Sequence, residues 1–430
     1  MIGTLVAVFV VLLLLGAPIA YCMGIGAYIS LAMYMPNATN AVVTKMFGGL
    51  DSFSLMAVPF FILAGNLMDS SGISRQLVDF ANMLVGRIKG GLAMTAVVSG
   101  VIFAGVSGSA SADTSALAAI LIPPMTEEGY EKGWSSCLIG TVGMLGPIIP
   151  PSLLAILYSA ATGLSVGAIF LSGVIPGIIL AATLLFLSYR YATKNPVVAA
   201  NQEKHKIKRS GQEIKSLCIS VIPALLMPLI IIGGILSGIF TATESAAVAC
   251  VYAMLYGFLS KRLPFKTFWK CLTDSAEGIA RLMLIVCLAT LFGWILSVKN
   301  FPIIVRDAML GLTSNKYIIL LLILLLLLFI GCFMETIAAL TILVPVLAPV
   351  AAAIGINDIQ FAEFMIIALL VGAITPPVGI NLYITTSVAK IPFTKCLRYL
   401  VPFLVVSILV TLLVMVCPPL TTLLPGLAGL

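Results

Sequence analysis

Oxygen-bearing side chains gather at a few places in an otherwise apolar chain, each rich in Gly or Pro. The first is Phe103-Ala-Gly-Val-Ser-Gly-Ser-Ala-Ser-Ala-Asp113, where Ser107, Gly108, Ser109, Ser111 and Asp113 lie close together. Hydroxyls and carbonyls are hard ligands that suit an alkali cation, and Gly lets a backbone come near it. Downstream, Leu145-Gly-Pro-Ile-Ile-Pro-Pro-Ser152 places Pro147, Pro150 and Pro151 in apolar sequence. Each Pro lacks an amide donor, so a carbonyl one turn earlier loses its helical partner. In lipid such a carbonyl must find a cation, a water or a facing hydroxyl. Ser107, Gly108, Ser109, Gly146 and Pro150 are therefore candidate sodium contacts, and Ser109, Ser111, Asp113 and Ser152 candidate substrate contacts. The bland alternatives are close packing through small residues and a proline kink.

The constellation recurs. Gly331-Cys-Phe-Met-Glu335-Thr-Ile-Ala-Ala339 and Gly372-Ala-Ile-Thr-Pro-Pro-Val-Gly-Ile-Asn381 follow the first pair at a constant offset of 226 residues. Phe103, Gly105, Pro123, Gly146, Pro150 and Pro151 return as Phe329, Gly331, Pro349, Gly372, Pro376 and Pro377. Glu335, Thr336, Gly372, Thr375, Pro376 and Asn381 are the second set of sodium candidates, with Thr336 and Asn381 also facing substrate. Asp113 and Glu335 are costly at membrane depth unless paired, hydrated or coordinating; capping a short helix is an equally open role for either. Interrupted hydrophobic segments in corresponding positions of two halves point to the binding site of a secondary transporter.

The elements that carry these motifs must be membrane helices. Hydrophobic residues make up 61% of the chain and charged residues 9%, too little polar surface for a soluble globule. Ile318 to Ile330 is continuously apolar, which a barrel strand is not. The spans expected are 3–34, 50–69, a hairpin at 92–126, 134–161, 165–189, 217–237, 241–260, 279–298, a hairpin at 317–354, 360–388 and 399–425. If both hairpins re-enter on the side they left, nineteen of the 23 Lys and Arg fall on one side. Lys45, Lys299, Arg306 and Lys316 fall on the other. The basic side is then cytoplasmic, together with the N-terminus. The first hairpin enters from the cytoplasm and the second from outside, so the repeats are inverted: 1–190 and 217–430, joined by a basic cytoplasmic linker at 191–216. The net charge of +7 follows from this topology and needs no nucleic-acid partner. Segments 73–89 and 263–278 are expected as amphipathic helices along the interface. The apolar start lacks a basic n-region and is expected as a retained helix.

Other chemistries find no support. The nine Cys residues are scattered without C-x-x-C spacing and are expected as packing residues. The one His, His205, sits in a charged loop, so no Ser-His triad or His-based metal site is expected in the membrane, and no phosphate-binding Gly loop ends in Lys-Ser or Lys-Thr. Thr241-Ala-Thr-Glu244 is expected as a helix cap. The chain is expected not to be an enzyme and to hold no organic cofactor.

Several motifs resemble one family. Pro59-Phe-Phe-Ile-Leu-Ala-Gly-Asn66, Phe103 to Asp113, Gly146-Pro-Ile-Ile-Pro-Pro-Ser152, Phe240-Thr-Ala-Thr-Glu-Ser-Ala-Ala247 and Thr375-Pro-Pro-Val-Gly-Ile-Asn381 are similar to the large membrane subunit (DctM-like) of tripartite ATP-independent periplasmic (TRAP) transporters. The resemblance runs nearly end to end. It implies an all-α polytopic elevator-type transporter of a bacterial inner membrane, importing an organic acid of the dicarboxylate or sialic acid class with Na+ as coupling ion. It also implies a small membrane subunit and a periplasmic substrate-binding protein as partners. Thr141-Val-Gly-Met-Leu145 departs from the Ser- and Thr-rich run usual there. A stand-alone sodium/dicarboxylate symporter is the alternative.

Overall fold

The computed structural model describes residues 1–204, 211–313 and 315–430; His205 lies outside the described residues. The described residues are helical throughout, apart from turns. The first half runs α1 (Ile2–Leu14), α2 (Ile19–Tyr34), α3 (Ala41–Leu50), α4 (Ala57–Ser70), α5 (Ile73–Val85), α6 (Gly91–Ala104), α7 (Ala110–Glu127), α8 (Lys132–Val142), α9 (Leu145–Ile148), α10 (Leu153–Thr162) and α11 (Val166–Lys194). After α12 (Pro196–Lys204) come α13 (Gly211–Leu236), α14 (Ala242–Leu259), α15 (Phe265–Val298), α16 (Phe301–Leu312), α17 (Lys316–Phe333), α18 (Thr336–Ala353), α19 (Asp358–Gly372), α20 (Ile380–Ala389), α21 (Thr394–Val416) and α22 (Pro419–Leu427). Seven of these helices are long and apolar enough to cross a membrane, and α8–α9 with α10 form one more span, bent by 44°.

Helix starts keep the register of the motifs. Ala110 of α7 and Thr336 of α18 are 226 residues apart, as are Lys132 of α8 and Asp358 of α19. The breaks fall where the sequence withholds donors. Ile149 to Ser152 interrupt the first broken helix around Pro150 and Pro151; Ala373 to Gly379 interrupt the second around Pro376 and Pro377. Both X-Pro bonds within these pairs are cis. The carbonyl that Pro151 leaves free is not wasted: Ser152 donates its hydroxyl to Pro147 O at 2.5 Å. The same oxygen caps α10, accepting from the Ala155 amide at 3.2 Å.

These broken helices form the centre of the molecule. Gly133 to Val142 of α8 and Gln360 to Gly372 of α19 are buried without interruption. Around them, α13, α17 and α21 expose large apolar residues such as Leu229, Leu325 and Leu409, the surface a lipid-facing helix presents. Small residues allow the closest approaches. Gly331 of α17 lies so near Gly372 of α19 that a methyl on Gly331 would come within 2.9 Å of the Gly372 α-carbon.

Three expectations are corrected. Residues 3–34 are not one span: α1 and α2 fold back on each other at Gly16 (φ 81°) and Pro18. Thr4 Oγ1 donates to the Tyr34 hydroxyl at 3.1 Å, so Met1 and Tyr34 end at the same face. A cytoplasmic N-terminus, which rested on a single crossing, therefore no longer follows. No Lys or Arg precedes Lys45, so the charge asymmetry is untouched. Second, 263–278 is not a separate interfacial helix but the first part of the 34-residue α15, continuous with the expected span 279–298. The separate short helix here is instead α16; α5 does form at the other expected amphipathic segment, burying Ile73, Leu77, Val78 and Ala81. Third, 399–425 is divided: α21 stops at Val416 and α22 begins beyond Cys417 and Pro418.

Candidate functional site

Each hairpin is joined to a broken helix by one backbone bond whose donors, though not acceptors, correspond at the 226-residue offset. The Leu153 amide donates to Gly108 O at 3.5 Å, and the Gly379 amide, 226 residues later, donates to Cys332 O at 3.4 Å. Gly108 adopts φ 63°, and a side chain there would also strike Pro151 O at 2.5 Å, so both conformation and contact require Gly. The two halves also touch directly. Asn381 at the start of α20 donates from Nδ2 to Gly140 O of α8 at 3.3 Å.

Between the two turns lies a cavity of 30 Å³, room for a water or a bare ion and far too little for an organic acid. Gly108, Ser109, Ser111, Glu335, Thr336 and Asn381 line it. Four helices begin on this cavity: Ala110, Leu153, Thr336 and Ile380, the first residues of α7, α10, α18 and α20, all line it. Helix N-termini carry partial positive charge, so their convergence suits an anion; at α18 that anion is already the Glu335 carboxyl, and Ser152 caps α10. A wider cleft of 530 Å³ adjoins, a volume typical of small-molecule sites. It shares Ser109, Ser111 and Glu335 with the small cavity and adds Ser107, Asp113, Asn66 and Arg281.

Asp113 and Glu335, alike in sequence, play different parts. Glu335 caps α18, its Oε2 accepting from the Ile337 and Ala338 amides at 3.0 and 3.2 Å. Asp113 caps nothing. It sits in the first turn of α7, 1% exposed, with the Ser107 hydroxyl as its one side-chain hydrogen-bonding neighbour. A methyl on Gly146 would collide with Asp113 Oδ2, and one on Gly143 with Thr114 Oγ1, itself buried without a partner. A carboxyl and two hydroxyls, Asp113, Ser107 and Thr114, thus gather at the α8–α9 junction, a set of hard oxygens that fits a monovalent cation.

The remaining candidates are dispersed. Ser107 Oγ accepts from the Ser109 amide at 3.3 Å, while Ser109 and Ser111 hydroxyls lie 3.4 Å apart. Thr375 donates to Val371 O at 2.7 Å and stands away from the small cavity with Pro376. Pro150 and Gly372 serve the breaks themselves. Thr141 donates to Cys137 O at 2.8 Å, so the departure from the Ser- and Thr-rich run leaves its one hydroxyl turned into its own helix. Glu244 and Thr241 form the expected capping box on α14. The sequence reading missed Thr114, whose signal was adjacency to Asp113, and Arg281, a lone cation near the start of the expected span 279–298.

Two broken helices, two hairpins and an apolar exterior define a polytopic membrane transporter. Comparison with known proteins sharpens the class. The family model described as tripartite ATP-independent periplasmic transporter, DctM component, matches residues 6–420. The sialic acid TRAP transporter large permease protein SiaM of Vibrio cholerae is 37% identical over 97% of this chain and 96% of its own length. The C4-dicarboxylate TRAP transporter large permease protein DctM of Pseudomonas aeruginosa is 34% identical over 95% of this chain and 94% of its own. Among solved structures, the Alcanivorax borkumensis YdaH transporter shares the fold with a TM-score of 0.64 over 90% of both chains, at 14% identity. The chain belongs to the DctM family of TRAP large permeases.

Proposed function

We propose that this chain is the large permease of a sodium-driven importer of an organic acid, working with a small membrane subunit and a periplasmic binding protein. The observation that carries the reading is the convergence of four helix N-termini on one cavity beside a cleft large enough for an organic acid. The substrate carboxylate points at the starts of α7 and α20, and its body lies in the cleft near Arg281 and Asn66. Sodium, the driving cargo, is held in the first half by Asp113, Thr114, Ser107, Ser109 and carbonyls near Gly146. In the second it is held by Thr336, Asn381 and carbonyls near Gly372. Segments 1–190 and 217–430 act as inverted repeats, and the hairpins with their broken helices move as an elevator past the surrounding helices. The relatives named for sialic acid and for C4-dicarboxylates are 37% and 34% identical, too close to each other to choose the substrate.

The test is uptake of labelled sialic acid and succinate into proteoliposomes holding this chain and its small subunit, under an inward sodium gradient, with and without the cognate binding protein. Uptake that requires both sodium and the binding protein supports the proposal and names the substrate. Sodium-driven uptake by this chain alone would make it a stand-alone symporter. Ser109→Ala is expected to weaken sodium dependence without loss of folding; unchanged activation would remove Ser109 from the site.

A further inference from the structure

A second buried carboxylate lies on the opposite side of the first break from the hairpin. Glu363, in the second turn of α19, is 1% exposed and forms no part of either cavity described above. Its Oε1 accepts no hydrogen bond. Its Oε2 lies 3.3 Å from Ser172 Oγ of α11. Ser172 has a single hydroxyl proton, and it is shared between Ile169 O at 2.7 Å and Glu363 Oε2 at 3.3 Å. The third member is the carbonyl of Ile148, the last residue of α9. Pro150 and Pro151 supply no amide, and no other described backbone amide donates to it. Ile148 O and Glu363 Oε1 both press on Gly173 of α11, so closely that a methyl added there would meet both, with Glu363 Oε1 at 3.3 Å.

Counting protons across this cluster leaves a deficit. Ile148 O and both Glu363 oxygens are acceptors gathered in one dry place, and the single hydroxyl proton beside them, that of Ser172, is shared with Ile169 O. Burying unmatched acceptors together is costly, and a carboxylate among them more so. A proton on Glu363 resolves the deficit, since the carboxyl O–H can then donate to Ile148 O or to Ser172. We propose that Glu363 is a proton-binding site that latches the break of the first broken helix to α11 and α19. When α9 moves away, the carboxyl loses its acceptor and releases the proton to water; when α9 returns, a proton is taken up from water. The inference does not depend on the identity of the substrate or on sodium coupling.

No ionised side chain competes for this role. Glu363 has Ser172 as its one side-chain partner. Among the elements that pack on α19, α9, α18 and α22 carry no titratable side chain. Tyr158 of α10 bears on Asp358, at the start of α19 itself. Lys316 and Tyr317 of α17 are exposed, and Cys332 lies next to Gly331 at the far end of α19. On α11, Tyr189, Arg190, Tyr191 and Lys194 lie about five to six turns beyond Ser172. Lys395, Cys396, Arg398 and Tyr399 of α21 stand about four turns or more from Val414 and Met415, whose carbonyls Gln360 binds.

Infrared difference spectroscopy of the purified chain in lipid, titrated through pH, tests the proposal without any transport assay. The wild type is expected to show a protonated-carboxyl C=O band at neutral pH that disappears in Glu363→Gln, where the amide can donate to Ile148 O in place of the acid. Any band from Asp113 should be common to both. A band identical in the two proteins would overturn the proposal, as would a Glu363 band bleached by sodium at constant pH, which would make this a cation site. Should Glu363→Gln not fold, Ser172→Ala serves: the Glu363 band must shift when its partner is removed, and an unshifted band would again overturn the assignment.

Discussion

Replacing Gly372 with Ala probes the closest approach between α17 and α19. An added β-carbon would lie 2.5 Å from the Gly331 α-carbon, 2.8 Å from its carbonyl carbon and 3.1 Å from Leu328 O, all backbone atoms that cannot rotate away. Ordinary contact begins at 3.4 Å, so α17 must withdraw from α19 by nearly an ångström. Overpacking of this kind costs about 1–3 kcal/mol, a roughly 5- to 150-fold shift in a two-state ratio. Because α17 carries the second hairpin turn, the shift also separates Cys332 O from the Gly379 amide, already 3.4 Å apart. The comparison variant is Gly293→Ala on α15, where the new β-carbon meets Pro345 at a comfortable 3.6 Å. Unfolding of both purified variants by detergent titration, read by tryptophan fluorescence, should separate them by that margin, and uptake should fall in Gly372→Ala alone. Equal stability of the two variants would refute the claim that backbone approach, and not mere helix content, holds this hairpin in place.

Asp113→Asn keeps the volume beside Gly146 and removes the charge; the half-saturating sodium concentration for uptake should rise about tenfold, a change of ~1.4 kcal/mol, with the protein still folded. Arg281→Gln should raise the half-saturating substrate concentration while leaving stability unchanged, because its pair with Glu277 is exposed on both sides and such pairs contribute about 0–1 kcal/mol. Thr241→Ala removes the oxygen that caps α14 and should lower stability by about 1 kcal/mol, measurable in the same detergent titration, with no change in sodium dependence.

What the sequence determined by itself was local and covalent. Proline pairs remove amides wherever they stand, so the breaks at Pro150-Pro151 and Pro376-Pro377 were legible before any neighbour was known, as were the hairpin turns at Gly105 to Ser109 and at Glu335. The capping box of Thr241 and Glu244 is a contact between residues three apart, so its geometry is written in its spacing. Periodicity and composition gave the helical membrane class for the same reason. The tertiary structure decided everything that depends on which helix faces which. Gly16-Ala-Pro18 marks a possible turn, but only the packing of α2 on α1 shows that the chain reverses there and does not run on. Asp113 and Glu335 are both acids at a hairpin turn; one is a cap and the other a buried carboxyl because Gly146 stands against Asp113 while amides of α18 reach Glu335. Asn381 bridges to Gly140 across 241 residues of chain, and Glu363 meets Ser172 across 191. Spacing along a chain cannot encode such meetings, since they are fixed only when separate helices settle at their closest approach.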